Sequence, residues 1–230
     1  SKYIPASKYL FYSIQSLKKF IWYSEETDRF YKVEGYLNPY SDTIVPKISD
    51  AFVWDQKETG RKLIYGENTW NEAKAWVSDG NSFALMGDGT NAFIYKFYVN
   101  NLEAKNCYRI SSSVATDVLS ADFYAFSSTR SVLFYVKNNT LYAYNYDIGN
   151  ERVDMIPLET TDEITMLKFD LTMEPMKDAL YIATYSAIEG GSLRKYYVGN
   201  NPDKVELKSD PKAVWKGLTK VKNMSWRALL

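Results

Sequence analysis

Residues 132–146 read VLFYVKNNTLYAYNY, and this stretch decides the fold. Five apolar or aromatic residues run into the short polar turn Lys137, Asn138, Asn139, Thr140, after which Tyr142, Tyr144 and Tyr146 recur at every second position. Side chains alternate across a strand with period two, so the three tyrosines share one face and the whole stretch is a β-hairpin. The same plan returns at 20–23 with 30–33, at 83–86 with 94–98, and at 180–184 with 193–198.

A second element precedes these hairpins: an apolar residue two positions before an aromatic one. It occurs as Phe52 and Trp54, Tyr124 and Phe126, Leu167 and Phe169, Met224 and Trp226, with Leu10 and Tyr12 a weaker member. The aromatic positions 12, 54, 126, 169 and 226 are spaced 42, 72, 43 and 57 residues apart. Two of these spacings match the roughly 40 to 45 residues of a propeller blade, and the others are blades with insertions.

Each repeat then has a first strand, a central hairpin and an outer fourth strand such as 152–157 or 205–208. Radial stacking of such sheets buries both faces of every blade, which accounts for the aromatic load. The expected fold is an all-β propeller of four-stranded antiparallel blades, with repeats at 7–48, 49–114, 115–160 and 161–219 forming a single domain or the C-terminal part of one. A further strand at 221–227 has no hairpin of its own. It is expected to close a blade begun upstream of Ser1, as part of a larger propeller, and the chain's start without Met agrees with that.

Two segments break the regularity between first and second strands, 56–80 and 170–178. In the first, Asn68 or Thr69 caps an expected short helix reaching to Val77, and the helix carries Trp70, Asn71 and Trp76. Indole rings flanked by Asn, Glu and Lys suit sugar rings, whose C–H faces stack on the aromatic while hydroxyls meet the polar groups. These three residues are the candidate ligand-binding set; packing of the helix on the core is the competing reading.

Composition narrows the chemistry. The 230 residues are 46% hydrophobic and 16% aromatic, ample for a core. There is no His, which removes Ser-His-Asp and Cys-His catalysis, His-ligated zinc and any histidine pH switch. Lys and Arg total 28 against 28 Asp and Glu, so no charge excess gathers nucleic acid. No apolar run approaches the roughly 20 residues of a membrane span. Cys107 stands alone in a strand-like stretch and is expected to be a small buried hydrophobe.

No phosphate-binding, dinucleotide, metalloprotease, nucleophile-elbow or paired-cysteine motif occurs. No catalytic residue, metal ligand or cofactor is therefore expected. Asp79, Gly80, Asn81 and Asp88, Gly89, Thr90, Asn91 offer oxygen ligands without the calcium-loop spacing, and they read as hairpin turns. The neighbours Glu25 and Glu26, and Asp162 and Glu163, read as solvated loop charge, because adjacent side chains diverge. The Lys-rich tract 212–222, with Val214, Trp215, Leu218 and Val221, reads as a strand with a wet face. Asn138 and Asn223 each begin a glycosylation sequon, which matters only in a eukaryotic secretory host.

The stretch 122–226 resembles the C-terminal propeller region of the PKD-like family of lipoproteins found near polysaccharide-utilisation systems in Bacteroidetes. The resemblance rests on Phe126 and Ser127, on 132–136 leading to Leu141, Tyr142, Ala143 and Tyr144, and on the 164–169 strand. It continues through 180–185, then Gly190, Gly191, Ser192, Leu193, Arg194, Lys195 and Tyr196, to the terminal Met224, Ser225, Trp226. It implies an exported periplasmic or outer-membrane lipoprotein with a binding or scaffolding role toward a glycan or protein partner at the cell envelope. The rival expectation is a glycosidase or polysaccharide lyase built on carboxylates or on Tyr and Arg, chemistries that need no His.

Overall fold

The computed structural model describes residues 10–12, 19–25, 28–38, 43–52, 60–68, 82–98, 101–127, 130–147, 152–169 and 179–224. They form four antiparallel four-stranded sheets, each a simple meander in chain order. Sheet one holds β1 (Leu10–Tyr12), β2 (Lys19–Ser24), β3 (Arg29–Asn38) and β4 (Thr43–Phe52). Sheet two holds β5 (Lys62–Asn68), β6 (Ser82–Gly87), β7 (Ala92–Tyr98) and β8 (Asn101–Arg109). A helix, α1 (Ser112–Leu119), precedes sheet three, made of β9 (Phe123–Phe126), β10 (Val132–Lys137), β11 (Thr140–Asn145) and β12 (Arg152–Ile156). Sheet four holds β13 (Glu163–Phe169), β14 (Ala179–Ser186), β15 (Gly190–Val198) and β16 (Leu207–Leu218). The chain divides into two compact units within α1, at 115/116.

In the first unit, sheets one and two pack face to face. Ile21, Tyr23 and Phe30 meet Ala84, Met86, Phe93, Tyr95 and Phe97, all buried. Phe83, Leu85 and Ile94 on the other face of β6 and β7 are buried as well, so the central hairpin has no wet side. The first strands β1 and β5 lie beside each other. A polar link crosses the same junction: the Tyr23 hydroxyl donates to Asp28 Oδ1 at 3.1 Å and accepts the backbone N–H of Leu63 at 3.1 Å. The register of β5 on β6 shifts just after Leu63.

The second unit repeats the arrangement. Val132, Phe134, Val136, Leu141 and Ala143 of sheet three pack on Ile164, Leu167, Phe169, Leu180, Ile182, Tyr196 and Val198 of sheet four. The other face of the hairpin is equally buried at Leu133 and Tyr144, and Tyr135 stacks on its cross-strand partner Tyr142 at 5.2 Å, a contact worth about 0.5–1.5 kcal/mol beyond its area. First strands again adjoin, β9 beside β13. The junction is held by Asn139, which sits in the turn at φ 56°. Its Oδ1 accepts the N–H of Ile164 at 2.7 Å and its Nδ2 donates to the carbonyls of Thr161 and Asp162. Here too the register of the first strand shifts immediately after the anchored residue, between Ile164 and Met166.

All four expected hairpins are present, as β2–β3, β6–β7, β10–β11 and β14–β15. Several expectations need correction. Phe52 ends β4, the outer strand of sheet one, paired with Phe30, so its apolar-x-aromatic pattern does not open a repeat; Trp54 lies outside the described residues. The first strand of sheet two is β5, inside the segment 56–80 read as an insertion. The outer strand read at 205–208 starts at Leu207 and runs to Leu218. Residues 221–224 of the expected closing strand form no strand; Val221 and Met224 instead pack on Met166, Tyr181 and Ala183, and 225–227 lie outside the described residues. Cys107 is exposed on β8, the last strand of sheet two.

Two predictions follow from the junctions. Asn139→Gly keeps the left-handed turn but removes the anchor of the buried Ile164 N–H, so the free energy of unfolding should fall by about 1–3 kcal/mol in urea denaturation. Burial pushes the Tyr23 phenol up to about 12, the Leu63 N–H opposes this, and Asp28 adds to it. A phenol raised in the folded state stabilises the fold fully below its unfolded value of about 10, and that contribution is lost as pH rises from about 10 to about 12. Tyr23→Phe should therefore be less stable than wild type at neutral pH and lose less stability between pH 10 and 12, as read by chemical denaturation across that window.

Candidate functional site

The outer edge of sheet four gathers the groups best placed to meet a ligand. The strand β16 carries Pro211, which lacks an N–H, and Lys208, Lys212 and Lys216, features that protect an edge from pairing with another chain. Its register on β15 is interrupted: Ser209 pairs with Tyr196 and Val214 with Arg194, so Asp210, Pro211, Lys212 and Ala213 all oppose Lys195. Asp210 pins this bulge, with Oδ1 accepting the N–H of Lys212 at 3.0 Å and Oδ2 the hydroxyl of Tyr197 at 3.1 Å. The Lys212 N–H chiefly holds the Asp210 carboxyl below its ordinary range. Beyond the strand, the chain passes so close over Gly191 that a Cβ there would clash with the Thr219 carbonyl oxygen.

Cross-strand partners share a face, so Trp215, opposite Leu193, and Val214, opposite Arg194, project to opposite sides. On the Trp215 side, the indole stacks on Tyr181 with ring centres 6.4 Å apart and planes 27° apart. Tyr181 is buried while Trp215 is 45% exposed, which leaves indole surface open to a ligand. Lys195, itself buried, holds its ammonium 5.7 Å from the Tyr181 ring centre and 5.3 Å from that of Tyr197. Farther along, Lys220 lies over Tyr185 at 5.5 Å and pairs with Glu163 at 3.2 Å.

On the Arg194 side lies an open groove of about 640 Å³ lined by Glu159, Arg194, Ser209, Pro211, Val214 and Lys216. The Tyr196 hydroxyl donates to Glu159 Oε2 at 2.5 Å, and Arg194 donates a long 3.4 Å bond to Thr184 Oγ1. Burial first, and then the Glu159 carboxylate, raise the Tyr196 phenol well above its ordinary value. It therefore serves as a fixed donor and is not activated as a base. Glu159 is the one carboxylate among the lining residues, and glycoside hydrolysis needs two.

The expected ligand set Trp70, Asn71 and Trp76 lies outside the described residues, as do Asp79, Gly80 and Asn81. Asp88 to Asn91 is a hairpin turn: Asp88 Oδ1 accepts the N–H groups of Thr90 and Asn91, Gly89 sits at φ 95°, and the Asn91 N–H first of all pulls the Asp88 carboxyl down to about 2. The Asp162 backbone carbonyl accepts from Asn139 Nδ2, and the Glu163 carboxylate pairs with Lys220. A second groove, of about 350 Å³, surrounds Asn139 and Ile164. Among the described residues, no group of three or more His, Cys, Asp or Glu is placed to hold a metal, and no helix is long and apolar enough to cross a membrane. As ligand contacts, Trp215 and Arg194 carry little sequence signal beyond Trp215 next to Lys216 in a strand that holds Pro211.

No protein-family model and no curated protein sequence matches the chain. Among solved structures, it is similar to a hemopexin fold protein CP4 from cow pea, at 10% identity over 90% of this chain and 91% of that one, with a TM-score of 0.33. It is also similar to a 2S albumin seed protein from Dolichos, at 8% identity over 90% of this chain and 92% of that one, with a TM-score of 0.36. At such scores the likeness assigns neither fold nor function.

Proposed function

We propose that this chain is a non-enzymatic binding module in which the four sheets are blades of a β-propeller. Supporting the propeller reading, the paired sheets of each unit set their first strands side by side and bury both faces of their central hairpins, as neighbouring blades do. The observation that carries the binding reading is Trp215, stacked on Tyr181 and 45% exposed at a sheet edge. An indole backed by a second ring is a rigid surface for the C–H face of a sugar, and Asp210 and Tyr197 on the same pair of strands offer hydroxyl partners. The ligand is a glycan, and Trp70, Asn71 and Trp76, which lie outside the described residues, remain candidate contacts from the sequence. Export to a bacterial envelope is part of the proposal and rests on the resemblance to PKD-like lipoproteins.

A carboxylate-based hydrolase is the weaker reading, because the groove beside β16 is lined by one acid. A glycan array probed with wild type, Trp215→Ala and the Trp70→Ala, Trp76→Ala double variant tests the proposal. Wild type should bind, and Trp215→Ala should lose at least about tenfold in affinity with its melting temperature little changed, since about half of that indole is already in water. Absence of binding by wild type, or full affinity in both variants, sinks the glycan reading.

A further inference from the structure

We propose that the groove on the other face of β16 takes the carboxylate of an acidic sugar, with Arg194 and Lys216 as its cationic partners; the proposal rests on the glycan reading above. The guanidinium of Arg194 is half-buried and carries five N–H donors, yet among the described residues it makes one bond, at 3.4 Å, to the neutral hydroxyl of Thr184. It forms no ion pair with Glu159, although both line the groove, and one Glu159 oxygen is taken at 2.5 Å by Tyr196. A partly desolvated guanidinium with unfilled donors is a ready bidentate site for a planar carboxylate. Lys216 is exposed on the same groove and has no ion pair among the described residues.

The charges on the lining, Arg194 and Lys216 against Glu159, leave a net of plus one. That balance suits a carboxylate monoanion and disfavours a phosphate dianion, which Glu159 would repel. Ser209 and the remaining oxygen of Glu159 accept or donate to ring hydroxyls, while Pro211 and Val214 give an apolar surface for ring C–H groups. The volume of about 640 Å³ falls within the roughly 300–1,000 Å³ of small-ligand sites. The bulge contributes to the groove: Ser209 and Val214 flank it, Pro211 lies within it, and Lys216 follows two residues beyond Val214. An acidic peptide would meet the same cations but would leave the hydroxyl-directed groups unmatched.

The test is calorimetric titration with galacturonate, glucuronate and mannuronate oligosaccharides and with their carboxyl-reduced neutral counterparts, using wild type, Arg194→Lys, Arg194→Gln, Lys216→Gln and Trp215→Ala. At least one acidic series should bind wild type about tenfold or more tighter than its neutral counterpart. That preference should vanish in Arg194→Gln, shrink in Arg194→Lys and in Lys216→Gln, and persist in Trp215→Ala, whose indole is on the other face. Lys216 is exposed, so its variant reads binding without a folding defect. Neutral sugars bound with no acidic preference would overturn this inference and leave the glycan reading standing, whereas no sugar bound at all overturns both. Tighter, Arg194-dependent binding of a polyglutamate peptide would also overturn it.

Discussion

Strands β6, β7 and β10 are buried on both faces, so the centres of their sheets expose neither side to water. An ordinary antiparallel sheet keeps one polar face, and a single two-layer sandwich would satisfy it. Here Phe134 and Val136 point one way, Leu133 and Tyr135 the other, and all four are buried. Burying a side chain of this size stabilises by about 1.5–3 kcal/mol, so leaving either face uncovered would forfeit several such contributions per sheet. Within each unit, one face of the central hairpin is covered by the neighbouring sheet, and the two units repeat that pairing.

Two sheets that meet face to face must also be held at a fixed register where backbone groups fall outside the ladders. Both units solve this at the same place, the N–H that precedes a bulge in the first strand of the second sheet. In one unit a tyrosine hydroxyl fixed by an aspartate accepts it; in the other an asparagine amide does so and also reaches two carbonyls. Asp28 and Asn139 each stand in a left-handed conformation one residue before a third strand, φ 52° and 56°. The structural repeat is thus one of hydrogen-bonding role, with different residue types filling it.

That difference sets what was legible in the sequence. The hairpins were readable because period-two alternation around a polar turn is local, as with Tyr142 and Tyr144 across from Leu133 and Tyr135. The first strand of sheet two, β5, was not, since Lys62, Gly66 and Glu67 dilute its pattern and its place is fixed by Tyr23, forty residues earlier. Phe52 misled for the complementary reason: an apolar residue two before an aromatic marks any half-buried strand, first or last in its sheet. Arg194 and Trp215 read as ordinary strand residues, because exposure at an edge depends on the pairing of two strands across a long connection.

The bulge in β16 shows how protecting an edge and building a surface become one problem. A straight outer strand would extend the ladder of β15 and offer its own unpaired row to any passing chain. Placing four residues opposite the single Lys195, with Pro211 among them and Asp210 bonded back to Tyr197, breaks that row. The same bulge separates Ser209 from Val214, leaving a groove on one face and an indole standing clear on the other. Neither feature needs a loop of its own, because both hang from the rigid sheet at the positions where regular pairing stops.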